Sequence, residues 1–129
     1  MIIAYSKAKD GDKKVSANFR VREFACKDGS DPVFIHTELA EILQKIRNHY
    51  KKAVIIVSGY RTPSYNKKCD GASFSQHLYG MAADVMISGV SPEDVAQFVE
   101  TILKDRGGIG IYSTFTHIDV RTKKSRWRG

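Results

Sequence analysis

The apolar residues of this chain follow a helical period in two segments. In the first, which begins at Thr37, they share one face, and Thr37 is predicted to be the N-cap. In the second, Ser91 and Pro92 supply an N-cap and a first-turn proline, and acidic residues follow at the positive end of the helix dipole. Gly107-Gly108 ends this segment. We therefore predict two amphipathic helices, with the apolar stripes Leu39, Ile42, Leu43, Ile46 and Tyr50, and Val95, Phe98, Val99, Ile102 and Leu103.

Other segments follow strand patterns. Residues 53–57 form a continuous apolar run that predicts a buried strand ending at Ser58-Gly59. Residues 80–88 predict a second strand, and residues 109–112 and 115–121 predict two closing strands joined by a tight turn. Helices and strands are mixed along the chain, which is typical of an α+β protein.

The composition indicates one domain. The chain has 129 residues and is 42% hydrophobic, enough for one core, so we expect a single domain over residues 1–129. The first 30 residues are rich in Lys, Asp and Gly and carry turn signals at Asp10-Gly11 and Asp28-Gly29, so we predict that residues 1–18 form an irregular N-terminal arm. The longest apolar runs are far shorter than the roughly 20 residues of a membrane-spanning helix.

The net charge of +7 favours polyanionic surroundings such as nucleic acid, anionic lipid or a bacterial wall. The basic residues are scattered except for a C-terminal run, which we interpret as a solvated tail. The sequence contains no recognised basic motif for binding nucleic acid. Cys26 and Cys69 lie far apart without a CxxC context, so we expect free thiols. We expect a monomer, and no conventional signal peptide opens the chain, so we expect synthesis in the cytoplasm.

Two segments combine histidine and aspartate in unusual surroundings. Asp84 is a lone carboxylate in an apolar strand, where an unpaired charge would cost several kcal/mol, so it needs a cation or a metal. His77 precedes it, with small residues between that leave room for an ion. Further along, strand alternation places His117, Asp119 and Arg121 on one face, which is therefore built of ionisable groups, and directs Ile118 and Val120 into the core.

Zinc accepts two imidazoles and one carboxylate in catalytic sites and keeps a fourth position open for water. A lone histidine is more often structural, and Asp84 alone fits a salt-bridged core acid equally well. A structural explanation must account for three separate placements, so we predict that His77, Asp84 and His117 bind zinc and that the site hydrolyses its substrate. His36 and His49 are interpreted as ordinary surface residues.

The motifs resemble those of a known family. They are Ser58-Gly59-Tyr60-Arg61-Thr62-Pro63, then Ser75-Gln76-His77 with Gly80, Ala82 and Asp84, and then Gly107-Gly108-Ile109-Gly110 leading into His117-Ile118-Asp119. In this order they resemble the zinc D-Ala-D-Ala carboxypeptidase family. Its relatives include the vancomycin-resistance D-Ala-D-Ala dipeptidase, phage L-alanyl-D-glutamate endolysins and the hedgehog signalling domain. The resemblance implies an α+β domain of the hedgehog/D-Ala-D-Ala-peptidase type, with an antiparallel sheet and helices packed on one side.

The resemblance also implies roles for individual residues. His77, Asp84 and His117 correspond to the family's zinc ligands. Arg61 is expected to hold the substrate or to stabilise the oxyanion, and Ser75 to contact the substrate.

One position departs from the family pattern. Several members carry a Glu or Asp general base three residues before the last histidine ligand, where this chain has Thr114. We therefore predict that Asp119, on the face of His117, is the catalytic base that takes the proton from the zinc-bound water; the alternative is that it orients a histidine. Tyr112 and Trp127 are candidates for the wall of the cleft, although aromatic residues near a strand end more often serve packing.

We therefore predict a Zn²⁺-dependent metallopeptidase that hydrolyses stem peptides of peptidoglycan in the bacterial cell wall. Either the D-Ala-D-Ala carboxypeptidase or the L-Ala-D-Glu endopeptidase type fits these motifs. A phage or prophage endolysin, released by lysis or another non-classical route, fits the small size and the missing export signal. The alternative is a catalytically inactive zinc-containing module that binds the wall.

Overall fold

The computed structural model describes residues Met1–Gly129 and corrects the prediction of an irregular N-terminal arm. The segment forms β1 (Ile2–Ser6), α1 (Lys7–Asp10), β2 (Lys14–Ser16) and β3 (Phe19–Arg20), and a 3-10 turn follows at Val21–Phe24. Strand β1 pairs antiparallel with β4 (Pro32–His36), so that Ile3 lies opposite Ile35. The composition of residues 1–18 did not indicate this pairing, because the partner strand β4 lies outside that segment.

Three longer helices follow: α2 (Thr37–Tyr50), α3 (Pro63–Lys68) and α4 (Pro92–Leu103). The predicted cap of α4 is confirmed, since Ser91 Oγ accepts a hydrogen bond from the Asp94 N–H at 3.1 Å. The predicted cap of α2 is wrong by one residue. His36 takes that place, and its Nδ1 accepts from the Glu38 N–H at 3.1 Å. None of these helices combines the length and the apolar character needed to cross a membrane.

The main sheet has five strands in the order β5-β6-β8-β7-β9. They are β5 (Ile55–Ser58), β6 (Ala82–Met86), β7 (Gly108–Ile111), β8 (Thr116–Asp119) and β9 (Ser125–Arg128). Three neighbouring pairs are antiparallel, but β7 and β9 are parallel, so the sheet is mixed rather than antiparallel throughout. Strand β9 lies within the basic run that we interpreted as a solvated tail, and its backbone pairing corrects that interpretation.

The two faces of the sheet differ in chemistry. On one face Ala83, Ile109 and Ile118 are buried in the core, and α4 packs over β7 and β8 while α2 packs on α4. Strand β5 is an edge strand, not the buried strand predicted: Ile55 is 51% exposed and Val57 40%. The opposite face carries polar side chains, and there the candidate site lies.

Candidate metal centre and active site

One row of directly paired residues crosses the sheet on this polar face. Asp84 of β6 lies opposite Ser58 of β5 on one side and opposite His117 of β8 on the other. His117 in turn lies opposite Gly110 of β7, which pairs with Trp127 of β9. The register therefore brings Asp84 and His117 together although they are 33 positions apart in the chain.

The third side chain comes from a turn, not from the sheet. His77 lies in a 3-10 turn, Gln76–Tyr79, whose N-cap Ser75 accepts a hydrogen bond from the His77 N–H at 3.3 Å. Gly80 ends the turn with a φ of 71°, and a Cβ there would lie 2.2 Å from the Phe34 carbonyl oxygen. Only glycine allows both this conformation and this close approach. The turn thus places His77 above the sheet.

His77, Asp84 and His117 converge on one point. Asp84 Oδ1 lies 3.3 Å from His77 Nε2 and 2.9 Å from His117 Nδ1. The three candidate ligand atoms all lie within 4.8 Å of one another, and all three residues are buried. Tetrahedral zinc with bonds of about 2.0–2.1 Å separates neighbouring ligand atoms by about 3.3 Å. The group could therefore hold a metal ion after only small adjustments.

The outer nitrogen of each imidazole has its own acceptor. His77 Nδ1 lies 2.7 Å from the Gly59 carbonyl oxygen, and His117 Nε2 lies 2.8 Å from Asp119 Oδ2. Such acceptors fix the ring orientation and the tautomer of a metal-binding histidine. Both rings are therefore held with their inner nitrogens directed at the Asp84 carboxylate.

The electrostatics favour an ionised carboxylate between the rings. Burial opposes ionisation of Asp84, but hydrogen bonds from His117 and His77 outweigh it and hold the pKa of Asp84 well below its ordinary value. Asp84 is therefore an anion at neutral pH, the form in which a carboxylate binds a metal.

Arg61 reaches the same carboxylate from the other side. Its Nη2 lies 3.5 Å from Asp84 Oδ2, its Nε donates to Ser58 Oγ at 3.0 Å, and its Nη1 donates to Asn66 Oδ1 at 3.3 Å. Asn66 is buried and donates to the Ala72 carbonyl oxygen at 2.9 Å. Sequence reasoning missed Asn66, because an amide on a short helix carries no signal of its role.

The comparison with protein families agrees with this arrangement. Residues 15–119 match the family model described as Peptidase M15. The chain belongs to the peptidase M15 family. This is the zinc D-Ala-D-Ala carboxypeptidase family that the motifs resemble, so that prediction is confirmed. No curated protein gives a significant match to the chain.

In this M15 chain Asp119 lies beside His117, not at the point of convergence. Its Oδ2 faces His117 Nε2, and Arg121 binds both oxygens, with Nε donating to Oδ1 at 2.8 Å and Nη2 to Oδ2 at 2.6 Å. Asp119 is completely buried. Burial raises its pKa, but the hydrogen bonds from His117 and Arg121 outweigh burial and keep the pKa low. Both oxygens are therefore occupied.

The aromatic residues beside His117 contact one another and form one wall of the candidate site. The Trp127 ring centroid lies 5.0 Å from that of His117, and Trp127 Nε1 donates to the Tyr112 hydroxyl at 2.9 Å. Tyr112 stacks on Phe115 at 4.4 Å. Tyr112 is therefore connected to His117 through Trp127. Thr114 is exposed in the bend between β7 and β8.

An apolar strip continues along this face of the M15 sheet. Ile55 and Met86 are direct cross-strand partners one row away from Asp84, and they are 51% and 43% exposed. Tyr112 follows the end of β7 and Phe115 precedes the start of β8, and their rings stack in the connection between the two strands. The face beside the candidate metal centre is therefore an apolar surface that is open to solvent.

Proposed function

We propose that this M15 protein is a single-domain zinc peptidase of the hedgehog/D-Ala-D-Ala-peptidase fold that hydrolyses peptide bonds in the stem peptides of peptidoglycan. The observation that carries the proposal is the convergence of His77, Asp84 and His117 in a chain of this family. Both the D-Ala-D-Ala carboxypeptidase and the L-Ala-D-Glu endopeptidase reactions belong to the proposal, since both would use these ligands.

In this proposal His77, Asp84 and His117 hold the zinc. Zinc bound to such a site supplies Lewis-acid chemistry and lowers the pKa of water. The apolar strip around Ile55 and Met86 provides an open surface beside the metal along which an extended substrate can lie. Ser75 caps the turn that carries His77, and Tyr112 binds Trp127 beside His117; we propose that both contact the substrate.

Arg61 stabilises the negative charge that develops on the carbonyl oxygen during hydrolysis. Its guanidinium is aimed at Asp84 by Ser58 and Asn66, so the positive charge is already positioned before the substrate arrives. Charge fixed in advance at a buried site stabilises a transition state far more than a mobile charge in water.

Asp119 acts in this proposal by orienting His117. The sequence predicts it as the general base, but its two oxygens are engaged by His117 and Arg121 and it has no exposed surface. A proton acceptor needs a free oxygen within reach of the attacking water. The contact with His117 Nε2 instead fits the role of a carboxylate that orients a metal-binding imidazole.

A second candidate function follows from the same observation. With Thr114 at the position of the family's usual base and Asp119 engaged, the chain fits a zinc-containing module that binds the wall without cleaving it. The net charge of +7 suits an anionic wall under either function.

Incubation with purified cell walls separates the two functions. The zinc-loaded protein is expected to release new amino groups and soluble stem-peptide fragments, with the cleaved bond identified by mass spectrometry. A chelator should stop the release, added zinc should restore it, and His77→Ala should be inactive throughout. Stoichiometric zinc and wall binding without any release would contradict the peptidase and support the binding module. An endolysin should also lyse intact bacteria from outside after permeabilisation.

A further inference from the structure

The last ten residues lie beyond the part of the chain that matches the M15 family, yet two of them reach a candidate zinc ligand. We propose that Arg121 and Trp127 are positioning residues that clamp the His117 imidazole in the orientation that binds the metal. The inference rests on the proposed metal site, and it adds a function for the C-terminal segment that the family match does not include.

The first half of the clamp is polar and acts on the edge of the ring. His117 Nε2 lies 2.8 Å from Asp119 Oδ2, and Arg121 binds the same carboxylate through Nε, Nη2 and its backbone N–H, the last at 3.1 Å from Oδ1. A planar guanidinium that binds a carboxylate through two parallel hydrogen bonds fixes its direction as well as its distance. Arg121 therefore sets where Asp119, and through it His117 Nε2, can lie.

The second half is aromatic and acts against the His117 ring. The Trp127 ring lies 5.0 Å from the His117 ring, centroid to centroid, with a tilt of 49° between the planes. Trp127 is itself fixed by the hydrogen bond from Nε1 to the Tyr112 hydroxyl. It also needs the absence of a side chain at Gly110, where a Cβ would lie 2.5 Å from the indole ring. The indole thus limits rotation of His117 on this side.

The two halves contact each other. Arg121 Cζ lies 5.4 Å from the centre of the Trp127 ring, within the range of a cation–π interaction. His117, Asp119, Arg121 and Trp127 therefore form a closed ring of contacts. Rotation of the imidazole would have to break the carboxylate contact or displace the indole.

Parallel pairing of β9 with β7 makes the closure possible. In this register Trp127 lies beside Gly110 on the polar face, while Arg126 lies on the opposite face and contacts Glu100 of α4. Neighbouring side chains of β9 therefore have different roles. Arg126 anchors the strand to α4, and Trp127 contacts His117.

Zinc affinity tests the clamp, measured by competition with a chromophoric chelator and by the visible spectrum of the Co²⁺-substituted protein. Arg121→Gln and Trp127→Leu are expected to bind zinc about tenfold more weakly and to change the cobalt spectrum, since groups that orient a ligand typically contribute about 10–100-fold to affinity. Arg121→Lys keeps the charge but loses the paired hydrogen bonds, so it should also weaken binding. Trp127→Phe keeps an aromatic face and should lie closer to wild type.

Arg128→Gln is the matched control, because Arg128 lies on β9 next to Trp127 and its exposed side chain forms an ion pair with Glu93 of α4, at 3.5 Å, not with the His117 site. Its zinc affinity should equal that of the wild type. Thermal unfolding of each metal-free variant checks that it is folded, and the milder Arg121→Lys carries the test if Arg121→Gln and Trp127→Leu do not fold. Wild-type affinity and spectrum in the folded Arg121→Gln, Arg121→Lys and Trp127→Leu would overturn the clamp alone. Absence of zinc binding by the wild type, or its retention in His77→Ala, would overturn the metal site and the clamp together.

Discussion

At the level of single side chains, the candidate site depends on buried charges that each have a defined partner. Asp84 lies between two imidazoles and Arg61, and Asp119 lies between His117 and Arg121. Burying such groups without partners would cost several kcal/mol each, so removing one partner leaves a penalty on the other. For variants at these positions, the stability of the protein should therefore be measured together with its activity.

Arg61→Lys tests the role proposed for the guanidinium. The shorter reach and single ammonium group cannot keep contacts with Ser58, Asn66 and Asp84 together, so the peptidase rate should fall by about 100-fold or more, as for loss of an oxyanion donor. Zinc content should be unchanged. Steady-state kinetics on a stem peptide and metal analysis of the same sample measure both, and an unaltered rate would remove Arg61 from the mechanism.

Gly110→Ala tests the packing of the aromatic wall. The new Cβ would lie 2.5 Å from the Trp127 ring, so the indole must move or the strands must separate. We expect the free energy of unfolding to fall by about 1–3 kcal/mol, the usual cost of overpacking. Denaturant unfolding measures the change, and an unaltered midpoint would show that the ring moves freely.

The sequence predicts three candidate ligands that the structure brings together, because Asp84 and His117 stand out among apolar strand residues and His77 precedes Asp84 with small residues between. It could not predict the contacts of Arg61 and Asp119 in the same way. Asn66 is one amide among many polar residues, and strand alternation places Arg121 on the face of Asp119 without showing that the two side chains pair. Their roles arise only from the folded geometry.

At the level of helices and strands, the long amphipathic patterns predicted the helices correctly, whereas the pairing of the short strands could not be predicted. Helices α2 and α4 lie where their apolar stripes indicate. Strands β1 and β4 depend on a partner about 30 residues away, and β9 is held by backbone pairing while its side chains are largely basic. Hydrophobic periodicity reports which face of an element is buried, not which strand it joins.

The start of α2 provides a prediction about pH. Neutral His36 caps the helix by accepting the Glu38 N–H. Burial, aided by the N-terminal ammonium group, lowers the pKa of His36 below its ordinary 6.5, although Glu38 and Glu41 oppose this. Folding therefore favours the neutral ring, and its contribution is complete above pH 6.5 and is lost as the pH falls through 6.5 toward the lower folded pKa.

His36→Asn keeps a capping acceptor that does not titrate. Its free energy of unfolding should lose the part of the pH dependence below pH 6.5 that belongs to His36, while a cap worth about 1 kcal/mol is retained. Urea unfolding of both proteins across this range measures the difference. Parallel pH curves for the two would contradict a titrating cap. An NMR titration of the His36 ring checks the direction of the pKa shift independently.

Across the whole molecule, the candidate metal centre joins segments that are distant in the chain. His77 comes from the turn between α3 and β6, and Asp84 and His117 come from two central strands. An ion bound by all three would stabilise the folded chain, since the unfolded chain cannot assemble the site.

Zinc should therefore raise the melting temperature of the metal-free protein. Free zinc at about 100 times its dissociation constant should add about 2.7 kcal/mol to the free energy of unfolding. Asp84→Asn should show little or none of this increase, because it removes the central carboxylate. Differential scanning calorimetry with and without zinc measures both proteins, and an equal increase in the variant would place the stabilising ion elsewhere.

The most direct measurement is the zinc content of the purified protein after chelation, reloading and removal of excess metal. The wild type and His49→Ala, whose imidazole stacks on Phe98 of α4 and is not one of the three candidate ligands, should each retain one zinc per chain. His77→Ala, Asp84→Asn and His117→Ala should each retain almost none while remaining folded. Unchanged zinc content in these three variants, or no zinc in the wild type, would contradict a metal centre built from His77, Asp84 and His117.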